Sequence, residues 1–133
     1  MHLLVVNPNT TASMTATIAA AARAAAGPST VIEAVTSTMG PASIEGYYDE
    51  ALAVPGLLAE IARGERAGAA AAIIACFDDT GLDAARAMAT IPVIGICEAA
   101  LSLASFLARR FTVVTMSQRS LVPVAELVRR YGM

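Results

Sequence analysis

The chain has 133 residues, with nine Arg, no Lys and eleven Asp or Glu, so its formal net charge is -2. Hydrophobic residues make up 56% and the mean hydropathy is +0.63, values that exclude an intrinsically disordered chain. The longest uncharged apolar run, 69–77, is far shorter than the roughly 20 residues that span a bilayer. The N-terminus lacks the basic segment of a signal peptide. We expect one domain, or one domain and part of another, in the cytoplasm and without a membrane partner.

Three residue types are so scarce that they exclude whole classes of chemistry. Without lysine, the chain cannot form a pyridoxal phosphate aldimine or a Walker A phosphate loop. His2 is the single histidine, which excludes a Ser-His-Asp triad and a multi-histidine metal site. The two cysteines, Cys76 and Cys97, are too few for a zinc cluster, and the lack of a basic stripe argues against nucleic acid. We therefore expect no metal and no cofactor, and a small-molecule substrate handled by thiols, carboxylates, hydroxyls and backbone amides.

Apolar runs of strand length alternate with helical segments along the chain. Strands are predicted at 2–6, 30–35, 70–75, 92–96 and 111–115, and helices at about 11–26, 49–66, 82–89, 98–110 and 123–131. The alternation predicts an α/β fold, with a parallel sheet covered by helices on both faces. The connection at 36–47 is long, which is typical of a segment that covers a site.

Ligands of such a sheet bind beyond the carboxyl ends of the strands, where the winding direction reverses. If the first and third strands are neighbours at that reversal, the loop at Asn7 faces the loop at Cys76 across one crevice. The segments that leave the predicted strand ends are 7–11, 36–39, 76–80, 97–98 and 116–117.

Cys76 ends a predicted strand and precedes a short helix, whose positive end favours a thiolate. The carboxylates of Asp78 and Asp79 act in the opposite direction. The alternative is that Cys76 is a small buried hydrophobic residue, which is a common role of free cysteines. Cys97 lies among small residues, and packing is the favoured interpretation there.

The segment Asn7-Pro8-Asn9-Thr10-Thr11 connects a strand to a helix. Its amides and hydroxyls, with the free amides of the helix, would bind a carboxylate or an imide without any net charge. The same residues would equally form an ordinary proline turn and helix cap. The sequence leaves both interpretations open.

Several motifs together resemble those of the hydantoin racemases, in the hydantoin/allantoin branch of the aspartate/glutamate racemase superfamily. The resemblance covers essentially the whole chain. Its motifs are Asn7-Pro8-Asn9-Thr10, Gly40 to Gly46, Ala75 to Asp79 with Gly81-Leu82-Asp83, Pro92 to Gly95 with Glu98-Ala99-Ala100, and Phe111 to Thr115 with Tyr131-Gly132.

The resemblance implies a flavodoxin-like strand order and a cofactor-independent racemisation of 5-substituted hydantoins or related amino-acid derivatives. Such enzymes use two cysteines on opposite faces of the substrate, one to remove a proton beside a carbonyl and one to return it. Cys76 matches the first of these cysteines and is the predicted catalytic residue. Amides around Asn9-Thr10 and Phe77-Asp78, with the Thr10 hydroxyl, would stabilise the oxyanion. The predicted substrate-binding residues are Asn9, Thr10, Phe77, Asp78 and Thr80.

The chain departs from this family in length. Hydantoin racemases have two similar α/β domains, and their second catalytic cysteine lies in a motif that residues 1–133 do not contain; Cys97 does not match it. We expect residues 1–96 to form a first domain and residues 97–133 the start of an incomplete second domain. We also expect either a longer enzyme or a homo-oligomer to cover the surface left open, and little or no racemisation by this chain alone.

Two other functions remain open. Arylmalonate decarboxylases resemble this superfamily and use one cysteine, so a single-cysteine decarboxylase is one alternative. The other is a non-catalytic domain that keeps the fold, in which Cys76 would be no more reactive than a buried thiol.

Overall fold

The computed structural model describes residues 1–115 and 117–133. Four parallel strands form one sheet in the order β2-β1-β3-β4, which confirms the predicted α/β fold. The strands are β1 (His2–Asn7), β2 (Val31–Thr36), β3 (Ala71–Ile74) and β4 (Val93–Gly95). The helices are α1 (Ala12–Ala25), α2 (Tyr47–Arg66), α3 (Leu82–Met88), α4 (Ile96–Leu107) and α5 (Leu121–Arg130), with a 3-10 turn at Gln118–Ser120.

The prediction of a fifth strand at 111–115 is wrong. Helix α4 ends at Leu107, and the following residues up to Thr115 are irregular. Their β-branched and aromatic side chains give a strand propensity, but a strand forms only where a neighbouring strand accepts its hydrogen bonds. In the described residues the sheet ends at β4, and Val114 is 89% exposed.

The largest core lies between one face of the sheet and helices α2 and α3. In register across the sheet, Val6 pairs with Ile74 and Ala72 with Val93, and all four side chains are buried. In strand β1 the consecutive residues Leu4, Val5 and Val6 are all buried, so this strand is covered on both faces. Helices α1 and α2 both pack against β1.

A smaller second cluster joins the start of α4 to α5. Its buried members are Cys97, Leu101 and Leu127, and Phe77 and Tyr131 pack against it. The cluster therefore connects the loop after β3 to the C-terminal helix. None of the helices in the described residues combines the length and the apolar character needed to cross a membrane.

Candidate active site

A cleft of about 570 Å³ opens at the carboxyl ends of β1 and β3, where the strand order reverses. Its volume is in the range typical of small-molecule sites. Residues of both the Asn7 loop and the Cys76 loop line this cleft, as the crevice prediction requires. The lining residues are Asn7, Asn9, Met14, Ser43, Ile44, Glu45, Ala75, Cys76, Phe77, Asp78, Val114, Thr115, Ser117, Ser120 and Val124.

The long connection 36–47 forms part of the wall, through Ser43, Ile44 and Glu45. It is held there by the first loop, because the Thr11 hydroxyl donates to the carbonyl oxygen of Ala42 at 2.7 Å. Of the predicted segment 116–117, Ser117 lines the cleft and Met116 lies outside the described residues. The lining by Met14, Ser120 and Val124 has no signal in the sequence, because it arises from packing between distant elements.

Buried carboxamides organise the first loop. The Asn7 Nδ2 donates to Asn9 Oδ1 at 2.8 Å and to Thr15 Oγ1 at 3.0 Å, and the Thr11 amide donates to the same Asn9 oxygen at 2.9 Å. Asn9 therefore has a structural role through its oxygen. Its Nδ2, however, donates to the Met14 sulfur at 3.4 Å, and a thioether is a weak acceptor. This N–H is a donor that a carbonyl oxygen in the cleft would satisfy better.

Thr10 lies outside the cleft lining. Its amide and its hydroxyl both donate to the carbonyl oxygen of Pro41, at 3.0 and 3.3 Å. This differs from the expectation that the Thr10 hydroxyl contacts a substrate. Thr80 also lies outside the lining, since it is fully buried and its Oγ1 donates to Cys76 Sγ at 3.4 Å. Thr80 thus contacts the thiol rather than the open volume.

Cys76 is half-buried on the wall of the cleft. Burial raises the pKa of its thiol above the usual value; hydrogen bonds from the Thr80 hydroxyl and the Asp78 amide act against this, and the charges of Asp78 and Asp79 add to it. Helix α3 starts only at Leu82 and is one short segment, so the expected support of a thiolate by its dipole is small. The thiol is therefore protonated at neutral pH and ionises as the pH rises.

Asp79 is buried, and its carboxylate accepts three hydrogen bonds. Its Oδ1 accepts from the Cys97 amide at 2.9 Å, and its Oδ2 accepts from the Glu98 amide at 2.8 Å and from the Tyr131 hydroxyl at 2.7 Å. Asp79 thus caps α4, a contact that the sequence analysis did not identify. The neighbouring Asp78 lines the cleft, where burial and then the Asp79 charge raise its pKa.

The charge of the cleft is negative. Of the described residues that line it, Glu45 and Asp78 are the charged ones. Anionic ligands are thus disfavoured, whereas the Asn9 amide and the Ser43 hydroxyl would bind neutral carbonyl groups. Within residues 1–115 and 117–133, no three His, Cys, Asp or Glu side chains form a group that could hold a metal ion.

Cys97 follows the neighbouring strand β4 but does not reach the cleft. It is fully buried between Leu101 and Leu127, which confirms the packing interpretation. Burial raises the pKa of its thiol to about 12. Cys97 therefore stays protonated and unreactive in the folded chain.

Comparison with known proteins shows the family of the chain. The Asp/Glu/hydantoin racemase family model matches residues 3–133. Hydantoin racemases from Pseudomonas sp. (strain NS671) and Rhizobium meliloti are each 51% identical, over 100% and 99% of this chain but 53% and 55% of their own lengths. The structure of an allantoin racemase from Klebsiella pneumoniae has a TM-score of 0.97 and 48% identity, covering 99% of this chain and 54% of its own. The chain thus spans about half the length of these relatives, and it belongs to the Asp/Glu/hydantoin racemase family.

Proposed function

We propose that this chain supplies one face of a cofactor-independent racemase site for 5-substituted hydantoins or related amino-acid derivatives. The observation that carries the proposal is a thiol that lines the same switch-point cleft as the side-chain amide of Asn9 and has a hydroxyl donor on its sulfur. The Cys76 thiolate takes the proton from the ring carbon beside the carbonyl, and the electron pair moves onto the carbonyl oxygen. Return of a proton to carbon re-forms the carbonyl and completes the exchange.

Each residue has a separate role in this proposal. Asn9 Nδ2 and the backbone amides of the Cys76 loop bind the carbonyl oxygen and stabilise the enolate-like intermediate. Phe77 and Asp78 form the wall beside the thiol. Thr80 acts through the sulfur, where its hydroxyl stabilises the thiolate. Thr10, with both donors bound to Pro41, holds the wall rather than the substrate.

The charge of the cleft supports a neutral substrate. A hydantoin ring is uncharged near neutral pH and presents two carbonyl groups and two N–H groups. A free amino acid, and still more a malonate dianion, would bring a carboxylate close to Glu45 and Asp78. This argues for the hydantoin class and against the arylmalonate type of decarboxylation.

The proposal is tested by hydrogen exchange at carbon. Each enantiomer of a 5-substituted hydantoin is incubated with the chain in D2O, and deuterium at C5 is followed by NMR against a protein-free sample. We expect slow exchange in one enantiomer, with its configuration retained, because one thiol reaches one face. Cys76→Ala should reduce the rate by a factor of about 100 or more, to the protein-free value. The matched variant Cys97→Ala should keep it.

Four outcomes would contradict the proposal. Exchange that survives in Cys76→Ala excludes the thiol, and exchange equal to the protein-free sample in both enantiomers supports a non-catalytic domain. Racemisation as fast as exchange would mean that residues 1–133 supply both faces. Cys76-dependent release of CO2 from an arylmalonate would instead support the decarboxylase.

We further propose that residues 1–96 form one domain and residues 97–133 the start of a second, and that copies of the chain associate. All described strands lie between His2 and Gly95, while α4 and the segment after it expose large apolar side chains. The most exposed are Leu103, Phe106, Leu107 and Val114. Light scattering should give a mass above 13.6 kDa, reduced to the monomer by Phe106→Glu with Leu107→Glu but unchanged by Tyr48→Glu, at an exposed aromatic elsewhere. A wild-type monomer at all concentrations would contradict association.

A further inference from the structure

The loop that carries Cys76 has an unusual backbone at Asp79. In the described residues, Asp79 is the one non-glycine residue with a positive φ, at 46°. Its amide donates to the Cys76 carbonyl at 3.0 Å, and its own carbonyl accepts from Leu82 at 3.0 Å. The left-handed conformation costs about 1–2 kcal/mol for an L-residue other than glycine. Asp79 keeps this left-handed conformation because its side chain is hydrogen-bonded to residues outside the loop.

The binding partners of this side chain come from two helices. The Cys97 and Glu98 amides belong to the first turn of α4, and the Tyr131 hydroxyl follows the last turn of α5. The approach to α4 requires glycine at position 95, because a Cβ there would lie 2.3 Å from Asp79 Oδ1. Three donors on one buried carboxylate are enough to satisfy its charge.

Tyr131 is the donor in its hydrogen bond with Asp79. Its ring packs against the cluster of Cys97, Leu101 and Leu127. Burial, and then the hydrogen bond to Asp79, raises the pKa of its hydroxyl far above the usual value. The hydroxyl therefore stays protonated, and its O–H points to the carboxylate.

We infer that Asp79 is a positioning residue for Cys76: by joining the start of α4 and Tyr131, its carboxylate holds the loop that presents the thiol to the cleft. These contacts of the Asp79 carboxylate are called the clamp below. The role of the clamp in catalysis rests on the function proposed above, since only an acid/base role of Cys76 makes the position of its thiol matter. The clamp extends to Tyr131, which directly follows α5 and lies 52 residues after Asp79 in the chain.

The clamp also controls a charge close to the thiol. Asp79 raises the pKa of Cys76 through its negative charge. Hydrogen bonds from the Cys97 and Glu98 amides and the Tyr131 hydroxyl draw part of that charge toward α4 and the end of α5. Loss of the Tyr131 donor leaves more of the charge to act on the sulfur. The other titratable or charged groups around the thiol and the clamp are Glu45, Asp78, Cys97 and Glu98, and the Arg86 and Arg130 guanidinium groups that act on Tyr131.

The test uses alkylation of the full 133-residue chain by iodoacetamide at a series of pH values, with the modified cysteine identified by mass spectrometry. Tyr131→Phe should move the pH midpoint of Cys76 alkylation upward and slow the reaction at pH 8 by roughly threefold. Asp79→Asn should move the midpoint downward. Arg129→Ala is the matched control, because Arg129 is an exposed arginine on the same helix; its midpoint should equal that of wild type.

A merely structural role predicts a different pattern. A lower Tm in Tyr131→Phe, with the rate and the midpoint of Cys76 alkylation equal to those of wild type, would show that the contact only stabilises the fold, and that result would overturn the inference. Circular dichroism restricts the comparison to folded samples, and Tyr131→Phe decides the question if Asp79→Asn does not fold. The alkylation needs no substrate, so shifted midpoints without deuterium exchange would refute the proposed function while leaving the clamp in place.

Discussion

Strands β3 and β4 are neighbours, and each is followed by a cysteine, yet the two thiols have opposite surroundings. After β3, residues 75–81 separate the strand from α3, and this loop turns Cys76 toward the cleft. After β4, helix α4 begins directly at Ile96, so Cys97 lies in its first turn and faces the second cluster. In this chain, the cysteine that lines the cleft is the one followed by a loop, and the cysteine that lies in a helix is buried in the second cluster.

The sharpest test of this comparison is selective labelling. In the folded chain at pH 8.5, iodoacetamide should modify Cys76 at least about 100-fold faster than Cys97, because Cys97 is fully buried and has a pKa of about 12. The rate at Cys76 should keep rising with pH beyond the usual ionisation of cysteine, since its pKa is raised. Peptide mapping measures both rates. In urea they should become equal, and equal rates without urea would break the comparison.

The Cys76 loop contacts the end of β4 at Gly95, and a methyl group at position 95 should disrupt this contact. Gly95→Ala should lower the free energy of unfolding by about 2–4 kcal/mol, because the new Cβ would lie 2.3 Å from Asp79 Oδ1. Gly27→Ala is the control, since a Cβ at Gly27 meets no atom within 4 Å, and its effect should stay within about 0.5 kcal/mol. Urea unfolding measures both, and similar stabilities of the two variants would contradict a close contact between Asp79 and β4.

The smallest expected effect comes from the hydroxyl on the sulfur. Thr80→Val keeps the side-chain shape but removes the donor that lowers the pKa of Cys76, so the alkylation midpoint should rise. The rate at pH 8 should fall by about two- to threefold, with recovery in Thr80→Ser. Thr90→Val, at a residue that binds Glu65 instead, should have no effect on Cys76. A midpoint unchanged in Thr80→Val would show that the hydroxyl does not act on the thiolate.

The main architecture follows from local patterns. Apolar runs with helical segments between them predict a parallel sheet, and the polar residues at two strand ends predict the cleft between the Asn7 and Cys76 loops. The same kind of pattern failed at 111–115, where the residues have strand propensity but the structure offers no partner strand. Strand propensity depends on the residues of one segment, whereas a strand forms only when a second strand pairs with that segment.

Local patterns were enough to predict the parallel α/β fold, the family and the two loops that form the cleft, because these depend on periodicity and on motifs within short segments. Only the packing of distant elements shows which donors are already bound to other parts of the chain and which side chains act through another residue. Thr10 is bound to Pro41, 31 residues away, and Asp79 is bound to Tyr131, 52 residues away. Contacts of that separation depend on how the helices pack on the sheet, and no local pattern records them.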